Sequence, residues 1–141
     1  MKIAVDFDGT IVEHAFPAIG KEKIFAFQTL KDLQKRGCQL ILWTCRTGKE
    51  LEAAIDYCHR NGLDFYAVNK NYPEEIFDIN NSPKIEADIY IDDRNIGGFP
   101  GWGEVWHMLY PETGGNEFVS NRREKSFFSR FGSLLRNSNN E

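Results

Sequence analysis

The sequence lacks the features of membrane-spanning and disulfide-stabilised proteins. Its 141 residues contain only three cysteines, an odd number without a CxxC pair, which argues against a disulfide framework and against a zinc site. No apolar run approaches the roughly 20 residues that a transmembrane helix needs. The N-terminus enters an apolar strand without the three parts of a signal peptide. We therefore expect a cytoplasmic protein with reduced cysteines and no transmembrane segment.

Most of the chain also lacks an excess of positive charge. Residues 1–119 carry 12 Lys and Arg against 19 Asp and Glu, whereas residues 120–141 carry 5 against 2. Nucleic-acid-binding domains are usually basic. The acidic balance therefore predicts that the main domain does not bind nucleic acid.

Apolar strand patterns alternate with helical patterns along the chain. Strands are predicted at residues 3–5, 38–44, 65–69 and 87–93, and helices at 21–36, 49–61 and 104–109. Residues 70–82 are irregular, and one helical turn is considered at 74–77. This alternation predicts an α/β fold, a Rossmann-like parallel sheet with helices on both faces. We assign residues 1–111 to this domain and residues 112–141 to a linker and a basic amphipathic tail.

Two acids follow the first predicted strand directly. Asp6 and Asp8 are one residue apart, and Gly9 and Thr10 then turn the chain. Ligands of open α/β sheets bind at the carboxyl ends of the strands. Because two clustered carboxylates repel each other, a cation is their natural partner.

Further reactive side chains are predicted at the same edge of the sheet. Thr44 ends the second strand, Lys84 lies just before the fourth, and Asp92 and Asp93 close the fourth. Acids on two strands, a hydroxyl and a lysine suit phosphoryl transfer, in which a carboxylate attacks phosphorus and cations balance the developing charge.

These residues resemble the four motifs of the haloacid dehalogenase-like (HAD) hydrolases. Asp6-Phe-Asp-Gly-Thr10 resembles motif I, Thr44 motif II, Lys84 motif III and Ile89-Tyr-Ile-Asp-Asp93 motif IV. The motifs occur in the order of the family and span residues 1–93. The resemblance implies a phosphatase acting on a phosphorylated substrate, with Asp6 as the nucleophile that forms an aspartyl-phosphate and Asp8 as the general acid and base.

The resemblance also implies how phosphate and metal are bound. Mg²⁺ would be held by Asp6, by the backbone carbonyl of Asp8 and by Asp92, while Asp93 is either a direct ligand or a neighbour of one. Phosphate would contact the hydroxyl of Thr44, the amine of Lys84 and the backbone N–H groups of two residues, Gly9 and Thr10.

Each of these residues also has a purely structural interpretation. Asp6 and Asp8 could form a strand-end turn, and Asp92 and Asp93 could cap a turn with Arg94 and Asn95. Thr44 could cap a helix, and Lys84 could be a solvated surface charge.

Three further residues are weaker candidates for substrate contact. Arg46 either contacts substrate or pairs with a surface acid. For Cys45 we favour a buried, inert thiol over a redox-sensitive one. His14 either meets the leaving group or is a loop histidine without a partner.

The spacing of the motifs leaves no room for a cap domain. Thirty-five residues separate Asp8 from Thr44 and thirty-nine separate Thr44 from Lys84, and the predicted elements use most of both intervals. Two other functions stay open: a phospho-receiver signalling domain, against which Asn69 at the end of the third strand argues, and a non-catalytic binding scaffold. The tail could lie on a membrane surface, join a homo-oligomer or pack on its own domain.

Overall fold

The computed structural model describes residues 1–112. The chain divides into two compact units, Met1–Trp102 and Gly103–Glu141, and the second is described only as far as Glu112. The tail predicted at 112–141 therefore lies almost wholly outside the described residues. Among residues 1–112, no helix combines the length and the apolar character needed to cross a membrane.

The first unit is built on a four-stranded parallel sheet. The strands are β1 (Lys2–Val5), β2 (Gln39–Leu42), β3 (Ala67–Val68) and β4 (Ile89–Ile91), in the order β3-β2-β1-β4. The helices are α1 (Ala26–Lys35), α2 (Gly48–Arg60) and α3 (Trp102–Leu109), the last of which begins at the final residue of the first unit. The predicted Rossmann-like α/β fold is confirmed, and residues 1–112 contain no cap domain.

The strand order places a topological switch point between β1 and β4. From β1 the chain steps outward to β2 and β3, and it then returns to the opposite side of β1 to form β4. In open α/β sheets the ligand crevice lies at the carboxyl ends of the strands at such a point. The residues that follow Val5 and Ile91 therefore lie where a ligand is expected to bind.

The two faces of the sheet are covered by different parts of the chain. The Tyr57 ring of α2 packs against Phe7, with 6.4 Å between ring centroids, and against Phe27 of α1, with 5.7 Å, so both helices share one face. On the other face, Ile41 and Ala67 form a buried cluster with Ile85, which belongs to the connection between β3 and β4.

Two predicted helical segments differ from the structure. The first helix begins at Ala26 rather than at residue 21, because Glu22 bridges to Val12 and the Lys23 N–H donates to the Ile11 carbonyl. Phe25, with a φ of 67°, then turns the chain into α1. Residues 74–77 form no helical turn.

Candidate functional site

Three carboxylates converge at the switch point. The Asp6 N–H donates to the carbonyl of Ile91 at 2.9 Å, which continues the pairing of β1 with β4 beyond the strand end. The parallel register places Val5 opposite Ile91, so Asp6 emerges beside Asp92. One carboxylate oxygen from each of Asp6, Asp92 and Asp93 lies within 4.8 Å of the others. The two acidic pairs predicted at separate strand ends thus contribute to one cluster.

Burial and charge repulsion both act on Asp6. Burial, and secondarily the charge of Asp92, raise the pKa of the Asp6 carboxyl from 3.8 to about 6. Hydrogen bonds from the Phe7 N–H and from the Thr10 hydroxyl, at 3.1 Å, partly oppose this rise. A cation at the cluster would relieve the repulsion. The donor set, three carboxylates, suits a hard divalent cation such as Mg²⁺.

The turn after β1 is packed tightly under the acidic cluster. Gly9 has a φ of 91°, and a Cβ atom there would overlap Asp93 Oδ2 and His14 Nε2. The Gly9 N–H donates to the Val12 carbonyl at 2.7 Å, and the Thr10 N–H faces the Phe7 carbonyl at 3.3 Å. Both N–H groups predicted to bind phosphate are therefore already engaged within the turn.

Asp8 forms a partly buried ion pair with Arg46. Arg46 Nε lies 2.7 Å from Asp8 Oδ2 and Nη2 lies 2.8 Å from Oδ1, a bidentate arrangement. Arg46 is only 2% exposed. Of the two alternatives for Arg46, pairing with an acid is observed, but the partner Asp8 lines the cavity and is not a surface acid.

Arg46 also connects two loops of the site. Its guanidinium donates to the carbonyls of Pro17 at 3.0 Å and Ala18 at 2.7 Å, and the rings of Phe7 and Phe16 lie about 5 Å from it. Arg46, which lies in the loop between β2 and α2, therefore fixes the segment that follows β1. No local pattern in the sequence indicates this contact.

Thr44 is fixed by Asn69, a residue for which the sequence predicted no such role. The Thr44 N–H donates to Asn69 Oδ1 at 2.8 Å, and Asn69 Nδ2 donates to the Thr44 carbonyl at 2.9 Å. The Thr44 hydroxyl accepts the Arg46 N–H at 3.2 Å and does not cap α2, which begins at Gly48. An amide at the end of β3 is the only sequence signal that could have suggested the clamp.

A cavity of about 300 Å³ opens beside these residues. Its lining contains seven of the predicted site residues and two others: Asp6, Asp8, His14, Thr44, Cys45, Arg46 and Asp92, together with Phe16 and Arg94. Cys45 is exposed, so the expected buried thiol is wrong at this position. His14 Nε2 lies 2.8 Å from Asp93 Oδ2, so the expectation of a histidine without a partner is also wrong.

Lys84 is not among the residues that line the cavity. It is exposed, and its amine lies 5.3 Å from the centre of the Tyr90 ring. Tyr90 in turn contacts Trp43, at 5.2 Å between ring centroids. In this arrangement the Lys84 amine contacts an aromatic ring and is not part of the cavity lining.

Asp92 also supports the turn that follows β4. The Arg94 N–H donates to Asp92 Oδ1 at 2.8 Å, and the Asn95 amide donates to the Asp92 carbonyl at 3.0 Å. The predicted turn-capping interpretation of Asp92 is thus correct, and it coexists with membership of the carboxylate cluster.

Comparison with known proteins relates the chain to one solved structure. No family profile matches the chain, and no curated protein matches it. The structure of a conserved protein from Bacteroides thetaiotaomicron is 53% identical, with a TM-score of 0.75, over 80% of this chain and 92% of that one. At this identity and coverage, the chain belongs to the same family as that conserved protein.

Proposed function

We propose that this protein is a Mg²⁺-dependent phosphatase of the HAD-like class, which hydrolyses a phosphomonoester through an aspartyl-phosphate at Asp6. The observation that carries the proposal is the convergence of Asp6, Asp92 and Asp93 at the switch point between β1 and β4. Like charges brought together at a strand edge cost stability, and a divalent cation offsets that cost.

Asp6 is the nucleophile in this mechanism. Its carboxylate oxygen forms a bond to phosphorus while the bond from phosphorus to the leaving oxygen breaks, and the leaving oxygen takes up a proton. Water then attacks phosphorus and releases inorganic phosphate, which regenerates the Asp6 carboxylate. The Thr44 hydroxyl, which already accepts the Arg46 N–H, can donate its own hydrogen to a phosphate oxygen.

Asp6, Asp92 and Asp93 would hold Mg²⁺ through their carboxylates, and the Asp8 backbone carbonyl would complete the protein ligands. The bound ion would neutralise charge that develops on the phosphoryl oxygens. The Asp8 side chain would supply and recover the proton of the leaving group. Since both of its oxygens accept hydrogen bonds from Arg46, proton donation requires Asp8 to exchange one of these bonds.

The strand order disfavours a phospho-receiver domain. Receiver-type sheets have the order 2-1-3-4-5, in which β1 lies between β2 and β3. Here β1 lies between β2 and β4, and the residue after β3 is Asn69, whose amide is occupied by Thr44.

We further propose a cytoplasmic location, a phosphorylated substrate, and no nucleic-acid binding by residues 1–111. The homo-oligomer contact considered for the tail involves residues outside the described part of the chain.

A screen for phosphate release tests the proposed function. The full-length protein is incubated with sugar phosphates, nucleotides and phosphopeptides, with Mg²⁺ or with a chelator. We expect Mg²⁺-dependent release from at least one substrate class, loss of release in Asp6→Asn, and full release in the surface control Asp56→Asn. Undiminished release by Asp6→Asn would contradict the mechanism.

A further inference from the structure

We propose that Arg94 is the side-chain cation that binds the phosphate of the substrate, in the role that the HAD resemblance assigns to Lys84. This inference rests on the proposed phosphatase function. The cation is identified by asking which positively charged side chains line the cavity and which of them have free hydrogen-bond donors.

The cavity requires a cation in addition to a metal. It is lined by the carboxylates of Asp6, Asp8 and Asp92, and a phosphate monoester brings further negative charge into the same space. A charged hydrogen-bond donor aimed at phosphoryl oxygens stabilises them in the ground state and more strongly in the transition state. Of the Lys and Arg residues between 1 and 112, only Arg46 and Arg94 line the cavity.

The donors of Arg46 are already used by the protein. Its Nε and Nη2 atoms bind the two oxygens of Asp8, and its remaining hydrogen bonds go to the backbone carbonyls of Pro17, Ala18 and Glu50. Because its charge is matched by Asp8 in a partly buried pair, Arg46 adds little net positive charge to the cavity. Arg46 therefore organises the site without being available to phosphate.

Lys84 does not line the cavity. Its amine lies over the ring of Tyr90, which packs with Trp43. In this position the Lys84 amine contacts the Tyr90 ring and does not line the cavity that contains Asp6.

Arg94 has both the position and the free donors. Its backbone N–H is held by Asp92 Oδ1 at 2.8 Å, so the turn that carries it is fixed to the carboxylate cluster. Its guanidinium forms no hydrogen bond or ion pair with any residue in the described part of the chain. A guanidinium presents a planar set of donors that matches two oxygens of a phosphate.

Matched substitutions of the two cations test this inference. Arg94→Gln, Arg94→Lys and Lys84→Gln are compared with the unmodified protein for kcat and KM with the best substrate of the screen. The binding of orthovanadate and inorganic phosphate is measured by calorimetry with Mg²⁺ present. Mg²⁺ affinity and the unfolding midpoint are measured for each variant, because they report damage to the metal site or the fold.

We expect Arg94→Gln to lower kcat/KM by about 100-fold, the scale for losing one donor to a reacting oxyanion, and to weaken phosphate binding. Mg²⁺ affinity should stay unchanged. Arg94→Lys should recover part of the loss, since lysine keeps the charge but not the two-pronged geometry. Lys84→Gln should change kcat/KM by less than about twofold, as for a solvated surface charge. Unaltered phosphate binding in Arg94→Gln, or an equal loss in Lys84→Gln, would overturn the inference.

The binding measurement separates this inference from the proposed function. If the unmodified protein binds phosphate without hydrolysing any substrate, and Arg94→Gln abolishes that binding, then the phosphatase proposal fails and the assignment of Arg94 stands. If the unmodified protein hydrolyses substrates and Arg94→Gln does so equally well, the assignment fails and the phosphatase proposal stands. If the unmodified protein neither binds phosphate nor hydrolyses a substrate, both fail.

Discussion

Two cavities of similar size lie near the ends of the parallel strands, and they are built in opposite ways. The first, of about 300 Å³, contains Asp6 and lies where β1 and β4 end. The second, of about 250 Å³, lies against the connection between β3 and β4 and is lined partly by Asn71, Glu75 and Phe77. We refer to them as the acidic cavity and the connection cavity.

Several polar groups of the connection cavity are paired with near neighbours in the sequence. Asn71 donates its backbone N–H and its amide to the two oxygens of Glu75, at 2.5 and 2.8 Å, and these bonds lower the pKa of the Glu75 carboxyl. The Lys70 amine donates to the Pro73 carbonyl at 2.6 Å. These partners are at most four residues apart, so this connection stabilises its own conformation.

The polar groups of the acidic cavity come from distant parts of the chain, and the carboxylates of Asp6 and Asp92 repel each other. Asp6 and Asp92 are brought together by β1 and β4, and the pKa of Asp6 is raised where that of Glu75 is lowered. Strained electrostatics of this kind occur at functional sites more often than at structural ones. The difference between the cavities therefore favours the acidic cavity as the reactive one.

The largest expected effect distinguishes the acids of the two cavities. Asp92→Asn removes one carboxylate of the cluster. We expect it to weaken Mg²⁺ binding and to lower kcat/KM, each by about 100-fold or more, because altering a group that only supports a metal ligand already costs about 10- to 100-fold. Asp78→Asn, in the connection cavity, should leave both unchanged. Isothermal calorimetry and phosphate release measure the difference, and equal effects of the two substitutions would remove the distinction.

Loss of the Arg46 charge should strongly destabilise the protein. Arg46→Met leaves Asp8 partly buried without its partner, which should lower the free energy of unfolding by about 3–5 kcal/mol. Lys70→Met, in the connection cavity, should cost less than about 1 kcal/mol. Urea denaturation provides both values, and a cost below 1 kcal/mol for Arg46→Met would mean that the ion pair is not formed in solution.

Substitutions of Gly9 and Gly97 distinguish the cost of atomic overlap from the cost of backbone strain. Their φ angles are 91° and 90°, but only Gly9 has neighbours that a Cβ atom would overlap, and Gly97 has none within 4 Å in the described part of the chain. Gly97→Ala should cost about 1 kcal/mol from its positive φ alone. Gly9→Ala should cost about 2 kcal/mol more, since overlap adds strain of that order, and should weaken Mg²⁺ binding by displacing Asp93. Equal unfolding midpoints for the two variants would contradict this packing.

The raised pKa of Asp6 predicts the pH dependence of metal binding. A carboxyl whose folded-state pKa lies above its unfolded value stabilises the fold at low pH, and that contribution is lost as the pH rises through about 6. Mg²⁺ competes with this proton, so its apparent affinity should be about tenfold weaker at pH 5 than at pH 7. Calorimetry at the two pH values tests this. Asp6→Asn should lose most of the dependence, whereas Glu75→Gln should retain it.

The smallest expected effect concerns the exposed apolar side chains near the connection cavity. Ile76, Phe77 and Ile79 are 82–87% exposed. Phe77→Ser should therefore change the free energy of unfolding by less than about 0.5 kcal/mol. Phe7→Ala, at a fully buried position between the sheet and α2, should cost about 3–5 kcal/mol. A large loss in Phe77→Ser would show that its ring is packed in solution.

The sequence predicted that Asp6 and Asp92 meet, but it also clustered Asp6 with Asp8, whose carboxylate instead pairs with Arg46. Asp6 and Asp92 each follow an apolar strand, and the carboxyl ends of parallel strands share one edge of the sheet. Their convergence follows from the fold class, and Thr44 joins them for the same reason. Such predictions succeed where the position of a residue depends only on the strand that it follows.

Contacts made by loops could not be predicted in this way. Arg46 and Asp8 are 38 residues apart in the sequence. The guanidinium becomes buried only when the loops that carry these two residues fold together. Asn69 clamps Thr44 across 25 residues through an amide that has no motif. The order of Lys84 in the sequence matches motif III, but order does not determine which side chain its amine contacts, and in the structure that side chain is Tyr90.

The most direct test of the central claim is chemical trapping of the intermediate. The protein is mixed with its best substrate and Mg²⁺, quenched during turnover and treated with borohydride, which reduces an aspartyl-phosphate to homoserine. Peptide mass spectrometry then locates the modified residue. We predict homoserine at position 6 in the unmodified protein and none in Asp6→Asn. Rapid phosphate release with no modification at Asp6, or with modification at Asp8 or Asp92 instead, would contradict the assignment of Asp6 as the nucleophile.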